Sequence, residues 1–348
     1  MIAAAHIRRP STLEQTLDAA RRRIEVSMPE LTEARRRRDL IAEALRAAFP
    51  GCRIYVNGSV AHGDALTPLT DVDVGIIVPD LDHLYGPGKY GPKRLKERVA
   101  AVIREVLGKE YPKLRVIVEG RKRSILVSFG NPVAMGEKDF TADVIVAIDN
   151  RAGDGLHIPR YDTWDRSHPE KHTEMVRVAV KNSEVAYSHG VRLLKHWARR
   201  HDKPLCSWHI KALALACLAT PVSQLAGMLA WFEHAIADLS VRDTPDPAGV
   251  AGAIKLSISR TELVEKLTKA REKLACAIEF DAAGYDVLAR DELAKFFKDE
   301  DMLPRENPIT VLAQQRRRAE DQRRKRTSPA LLTGVRHRER TPTRSWAP

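Results

Sequence analysis

Residues 52–78, CRIYVNGSVAHGDALTPLTDVDVGIIV, carry two apolar runs separated by a short loop. Ile54-Tyr55-Val56 and Val74-Gly75-Ile76-Ile77-Val78 run on without polar alternation, which predicts two strands buried on both faces. The first run ends in Gly58-Ser59, a turn whose backbone N–H groups and hydroxyl suit a phosphate. The second opens with Asp71-Val72-Asp73. Side chains alternate across a strand, so both carboxylates project from one face. Two neighbouring carboxylates repel, and burying them uncompensated is costly. A divalent cation removes that conflict, because hard cations take oxygen ligands. The stretch reads as a metal-phosphate site.

Outward from it, the 348 residues are enough for two domains, and 43% hydrophobic content is enough for real cores. No apolar run approaches the roughly 20 residues that span a bilayer. The start, MIAAAHIRRP, lacks the apolar core of a signal peptide. Cys52, Cys206, Cys217 and Cys276 form no CxxC pair and read as reduced residues, so a cytoplasmic location is expected. The net charge of +12 is unevenly placed. Residues 315–348 hold ten Arg and one Lys against Glu320, Asp321 and Glu339, a net +8 that leaves only +4 for the first 314 residues. The body is mildly basic, which weakens the reading of the whole protein as a nucleic-acid-binding module.

Ser11-x-x-Glu14 and Ser27-x-x-Glu30 are capping-box patterns, opening helices to about Val26 and Phe49. Arg35–Arg38 in the second is a solvated face or, alternatively, a phosphate-contacting helix behind the site. Pro79–Pro92 contains Gly86-x-Gly88-x-x-Gly91, but Pro87 and Pro92 break it and no strong strand precedes it. A dinucleotide fold is therefore rejected. A helix is expected over 93–107, strands over 114–118 and 124–129, and another over 140–148. In that last strand Asp143 sits inside an apolar run and needs a partner. A third carboxylate facing Asp71 and Asp73 from an adjacent strand is the economical reading. Residues 149–168 read as a polar crossing, with helices over 169–182, 184–201, 207–219, 222–238, 260–280 and 284–298. The twelve histidines show no HExxH and no zinc spacing with cysteine. Val311–Arg318 reads as helical, and the Pro- and Arg-rich remainder as disordered.

Gly58-Ser59, eleven residues, Asp71-x-Asp73 and a later strand acid at Asp143 resemble the motif of the polymerase-β-like nucleotidyltransferase superfamily. Ile158-Pro159, Trp164 and Ser167-His168-Pro169-Glu170-Lys171-His172 resemble the entry to the helical lobe of cyclic-oligonucleotide synthases, the CD-NTases. That group includes cyclic GMP-AMP synthases and is related to oligoadenylate synthetases. Val191-Arg192-Leu193-Leu194-Lys195-His196-Trp197 and Leu205-Cys206-Ser207-Trp208-His209-Ile210-Lys211 are similar to its paired helix motifs. The resemblance spans roughly residues 30–220 and departs at Asp64, where many members carry Thr.

The resemblance implies an α+β, bilobal nucleotidyltransferase fold, with a mixed-sheet catalytic lobe plus a helical lobe. The corresponding division is 1–160 for the catalytic lobe with the N-terminal helices, 161–308 for the helical lobe, and 309–348 for a basic tail. It implies a magnesium-dependent enzyme that uses NTP donors, including ATP, and releases pyrophosphate. Asp71 and Asp73 would hold two Mg²⁺ ions, with Mn²⁺ as a substitute. Asp143 would hold one of them and help deprotonate the attacking hydroxyl. Gly58 and Ser59 would grip the β and γ phosphates, and Lys195 and Ser207 would bind the donor nucleotide. Trp197 and Trp208 read as core residues, with base stacking as the alternative. The expected product is a cyclic or short linear oligonucleotide signal of the antiviral-defence type. Transfer to an RNA end, a protein or a small-molecule hydroxyl is the alternative, and a nucleic-acid-binding module with an inactive site is the alternative of another class. Nucleic acid is an expected partner of the Arg-rich tail 315–348, and no membrane is expected.

Overall fold

The computed structural model of the protein describes residues 11–327. Strand β1 (Arg53–Asn57) leads through a single helical turn, α3 (Gly58–Ala61), to β2 (Asp71–Ile77); helices α1 (Thr12–Arg23) and α2 (Met28–Ala48) precede them. Helix α4 (Gly91–Leu107), the short hairpin β3 (Arg115–Ile117) and β4 (Ser124–Ser128), and β5 (Thr141–Asp149) follow. The sheet order is β1-β2-β5-β4-β3. β2 and β5 pair in parallel while their other neighbours are antiparallel, so the sheet is mixed. Parallel neighbours need a crossover connection, which the segment containing α4 supplies.

The period of two divides the central strands. Val72, Val74 and Ile76 of β2 and Ala142, Val144, Val146 and Ile148 of β5 enter a core shared with α2 and α4. The opposite face carries Ile77 and Ala147, packed with Tyr55, Leu156 and Ile158, at one end. Its other end carries the acids. β1 is an edge strand whose residues, Tyr55 apart, keep contact with solvent, which corrects the expectation of burial on both faces. Gly75 exists for Tyr55: a Cβ there would meet the phenol ring at 1.9 Å.

The supposed polar crossing is a second hairpin, β6 (Leu156–Arg160) and β7 (Thr163–Ser167), attached to the end of β5. Pro159 and the charged residues hid it: Leu156, Ile158 and Pro159 of β6 are buried, but they are interleaved with polar residues and β7 is polar apart from Trp164. The helical lobe then comprises α5 (Pro169–Asn182), α6 (Ala186–Arg199), α7 (Ser207–Cys217), α8 (Gln224–Val241), α9 (Arg260–Ala282) and α10 (Asp286–Phe297). Of the two N-terminal helices only α2 joins the sheet's core. Leu13, Leu17 and Ala20 of α1 pack with Trp197, Trp231 and Phe232 in the helical core. Glu14, in place of closing a capping box, accepts from the backbone N–H groups of Gln224 and Leu225 at the start of α8.

Helix α11 (Pro308–Thr327) runs further than expected. Gln314 accepts from the Leu288 N–H, Asp321 accepts from the Tyr285 hydroxyl, and the Arg318 guanidinium lies 4.5 Å from the Phe280 ring centre. The rest of the basic tail, 328–348, lies outside the described residues. Among the described residues no helix is long and apolar enough to cross a membrane.

Within Arg35–Arg38, Arg37 is fully buried. It donates to Glu33 at 2.8 Å, to Asp139 at 2.7 Å and to the Asn131 carbonyl, with its guanidinium 4.3 Å from the Phe140 ring centre. Arg37→Ala takes from Asp139 its guanidinium partner, leaves Glu33 with Arg36 alone and opens a void, and is expected to cost about 3–5 kcal/mol. Arg35 is exposed, and Arg35→Ala is expected to cost about 0.5 kcal/mol or less. Urea denaturation of both variants checks the pair.

Candidate active site

Antiparallel pairing of β1 with β2 sets Asn57 opposite Asp73. The chain then turns at Gly58 with φ +82°. A Cβ on Gly58 would fall 1.6 Å from Asp73 Oδ2, so the turn and the carboxylate touch only because residue 58 has no side chain. On the other side, parallel pairing sets Asp73 opposite Asp143 and Asp71 opposite Thr141. Two strands thus bring three acids to one end of one face.

Electrostatics follow from that placement. Burial, then Asp71, then Asp143 push the Asp73 carboxyl up to about 7. Burial and Asp143 raise Asp71 as well. The Asp143 carboxylate is held differently: its Oδ1 accepts from Arg121 Nη2 at 3.1 Å and from Ser124 Oγ at 3.0 Å. Among the described residues no three His, Cys, Asp or Glu side chains close around one metal-sized point, and Arg121 supplies the positive charge beside Asp143. Donor chemistry nonetheless fits a hard divalent cation: carboxylate oxygens alone, two of them on acids that resist ionising together.

A cavity of about 950 Å³ opens between the lobes, within the range of ligand pockets. Gly58, Ser59, Asp71, Asp73, Lys195 and Ser207 all line it. Asp143 is not among its lining residues; its Oδ1 is taken up by Arg121 and Ser124. Ser207 is the first residue of α7. Trp208 packs against the helical core and also lines the cavity, its ring centre 4.3 Å from that of His172. His172 is in turn held by Asp246 at 2.6 Å. Trp197 is buried in the helical core, away from the cleft.

Lys195 is not the solvated lysine that a helix position suggests. Its Nζ donates to Asp64 Oδ1 at 2.6 Å and to the Asp64 carbonyl at 2.8 Å. Lys211, one turn beyond Ser207 on α7, reaches the same carboxylate. Sequence reasoning passed over Lys211, Arg121 and Ser124. The spacing of Ser207 and Lys211 on one helix face was the signal for the first; Arg121 and Ser124 carry no pattern, because they act through a hairpin turn beside Asp143. Arg199, a further cavity residue, donates to the Thr67 carbonyl at 3.0 Å.

No family model matches the sequence, and no curated protein matches it. Solved structures do match. CdnC of E. coli MS115-1, in its structure with ATP, is 15% identical with a TM-score of 0.61 over 82% of this chain and 98% of that one. The CD-NTase CdnG of Bradyrhizobium diazoefficiens, in complex with GTP, is 12% identical with a TM-score of 0.60 over 84% and 97%. The cyclic AMP-GMP synthase DncV of Vibrio cholerae, with the linear intermediate 5′ pppA(3′,5′)pG, is 12% identical with a TM-score of 0.52 over 82% and 86%. At these identities the likeness is one of fold: this chain has the α+β, bilobal fold of the CD-NTase nucleotidyltransferases.

Proposed function

We propose that the protein is a metal-dependent nucleotidyltransferase that joins nucleoside triphosphates, releases pyrophosphate and makes a cyclic or short linear oligonucleotide signal of the antiviral-defence type. The observation that carries this reading is the contact between Gly58 and Asp73. A phosphate-sized turn and a metal-binding acid pair are built against each other, in a cleft roofed by lysines of the second lobe. Such an arrangement suits a group that is both polyanionic and metal-bound.

Asp71, Asp73 and Asp143 would hold two Mg²⁺ ions, which supply charge neutralisation and Lewis acidity for an in-line displacement at phosphorus. The residues do the rest. N–H groups of the Gly58-Ser59 turn and the Ser59 hydroxyl bind the β and γ phosphates, and Lys195 and Ser207 bind the same donor from the helical lobe. Asp143 Oδ2, the oxygen not engaged by Arg121 or Ser124, takes the proton of the attacking hydroxyl. Arg121 and Ser124 keep Oδ1 occupied and so leave Oδ2 for that role. The α-phosphorus gains a bond to the acceptor oxygen and loses its bond to the β-phosphate bridge, and pyrophosphate departs.

The oligonucleotide product is supported by one of the fold relatives, the cyclic AMP-GMP synthase of Vibrio cholerae. Incubation with all four α-labelled NTPs and Mg²⁺ tests it. New phosphodiester species formed from NTPs alone are expected; label that moves only onto an added RNA, protein or small hydroxyl compound would replace this product with acceptor modification. The net +8 of residues 315–348 supports electrostatic nucleic-acid contact as an accessory property.

A further inference from the structure

Asp64 lies just beyond the phosphate turn and is wholly buried. It belongs to the sheet lobe, yet its partners come from the other one. Lys195 Nζ of α6 sits 2.6 Å from Oδ1, and Lys211 Nζ of α7 sits 2.9 Å from Oδ2. The first is an aligned hydrogen bond. The second is an ion pair off the hydrogen-bond direction, so Oδ2 has no aligned donor. Lys211 Nζ donates to His62 Nδ1 at 2.9 Å, and His62 Nε2 meets Thr173 Oγ1 of α5 at 3.3 Å. Burial and Lys211 hold the imidazole neutral, its pKa lowered to about 3. For Asp64, burial works against ionisation and is overcome by Lys211 and Lys195, leaving its carboxyl at about 2.

Asp64 offsets only one of the two nearly buried ammonium groups; the charge left over acts on Asp71 and Asp73 across the cleft and is available to any anion that enters it. Each ammonium has three protons. Lys195 uses two, on the Asp64 carbonyl and Oδ1, and Lys211 uses one, on His62 Nδ1. Both lysines line the cleft that holds Ser59, Asp71 and Asp73. Remaining proton capacity and excess charge therefore face the same space.

The geometry points to Asp64 as a positioning residue that locks Lys195 and Lys211 into a two-pronged cationic seat for the polyphosphate of the donor nucleotide, with Lys211 a binding residue in its own right. This rests on the reading of the cleft as a nucleotide site. Because Asp64 and the lysines come from different lobes, the same contact fixes the seat's distance from the Gly58-Ser59 turn.

Calorimetric titration with inorganic tripolyphosphate, which has neither base nor ribose and needs no turnover, tests the seat beside a parallel titration with ATP. Lys211→Met removes the excess charge and leaves Asp64 and Lys195 balanced. The variant is expected to keep its melting temperature within a few degrees and to bind tripolyphosphate at least tenfold more weakly. A structural ion pair alone would give the reverse, a lower melting temperature with unchanged affinity. Asp64→Asn strands two ammonium groups and is expected to unfold more readily. Asp64→Asn combined with Lys211→Met restores the wild-type net charge; it is expected to recover the melting temperature but not the affinity, since Lys195 has lost its anchor. Wild-type affinity in Lys211→Met, or in the double variant, overturns the proposal while leaving the nucleotide reading intact. Wild-type protein that binds neither probe overturns both.

Discussion

Asp73→Asn is expected to lower nucleotide transfer by about a thousandfold or more, and at the same time to make the metal-free protein more stable at pH 8. The loss of activity follows from removing a charge that a divalent cation needs, without changing the side chain's volume. The gain in stability follows from proton linkage. An unfolded chain releases the Asp proton near 3.9, whereas the folded protein holds it on Asp73 up to about 7. Between those values the folded state binds more protons than the unfolded one, so stability falls as pH rises from about 4 to about 7 and stays lowered above. The ceiling on that penalty is on the order of 4 kcal/mol, reduced by the water that still reaches the partly exposed carboxylate. Asn carries no such penalty. Thermal melts of metal-free protein at pH 4 and pH 8 should show a larger loss for wild type than for the variant. Added Mg²⁺ at pH 8 should restore wild type and leave the variant unmoved. Parallel melting profiles with and without Mg²⁺ would remove Asp73 from the metal site.

Gly58→Ala is expected to be as damaging for a steric reason. The added methyl would stand 1.6 Å from Asp73 Oδ2 and 2.4 Å from its Cγ, at a backbone φ of +82° that side chains rarely adopt. Either the acid moves off the site or the turn opens, and both separate the phosphate seat from the metal carboxylates. A cost of about 1–3 kcal/mol in stability and at least about a hundredfold in kcat is expected. Gly88 is the matched control: its φ is +78°, yet nothing lies within 4 Å of a Cβ there. Gly88→Ala should carry the backbone strain alone, about 1 kcal/mol, with transfer unchanged. Urea unfolding and initial-rate kinetics on the two variants separate the collision from the strain. Equal loss of activity in both would mean that backbone strain, not contact with Asp73, explains Gly58.

The readability of this chain follows its periodicities. The Asp71-x-Asp73 spacing and the acid inside an apolar run at Asp143 were legible, because a strand's period of two fixes which side chains share a face. The parallel register that sets Asp73 against Asp143 follows from that same pairing. The helical lobe was legible to within a few residues for a similar reason, Ala- and Leu-rich segments with polar caps. What escaped lies where tertiary placement overrides local pattern. Arg37 sits in a run of four arginines that nothing in the sequence tells apart, and is buried only because α2 faces Phe129 and Phe140. The hairpin β6–β7 looks polar because only Leu156, Ile158 and Pro159 of it are buried, set among charged and polar residues. The placement of α1 in the helical core depends on a chain reversal that capping signals do not encode. Asp64 stood out as a departure from a motif, but its meaning needed the two lysines that only the folded chain brings to it.

The most direct measurement of the central account is pyrophosphate released per phosphodiester bond formed. It is made with purified protein, all four NTPs and Mg²⁺, with Asp73→Asn as the paired control. One pyrophosphate per new bond, abolished by chelator and by Asp73→Asn, is the predicted result. Phosphodiester formation that continues in Asp73→Asn, or NTP turnover that releases orthophosphate without any new bond, would contradict it.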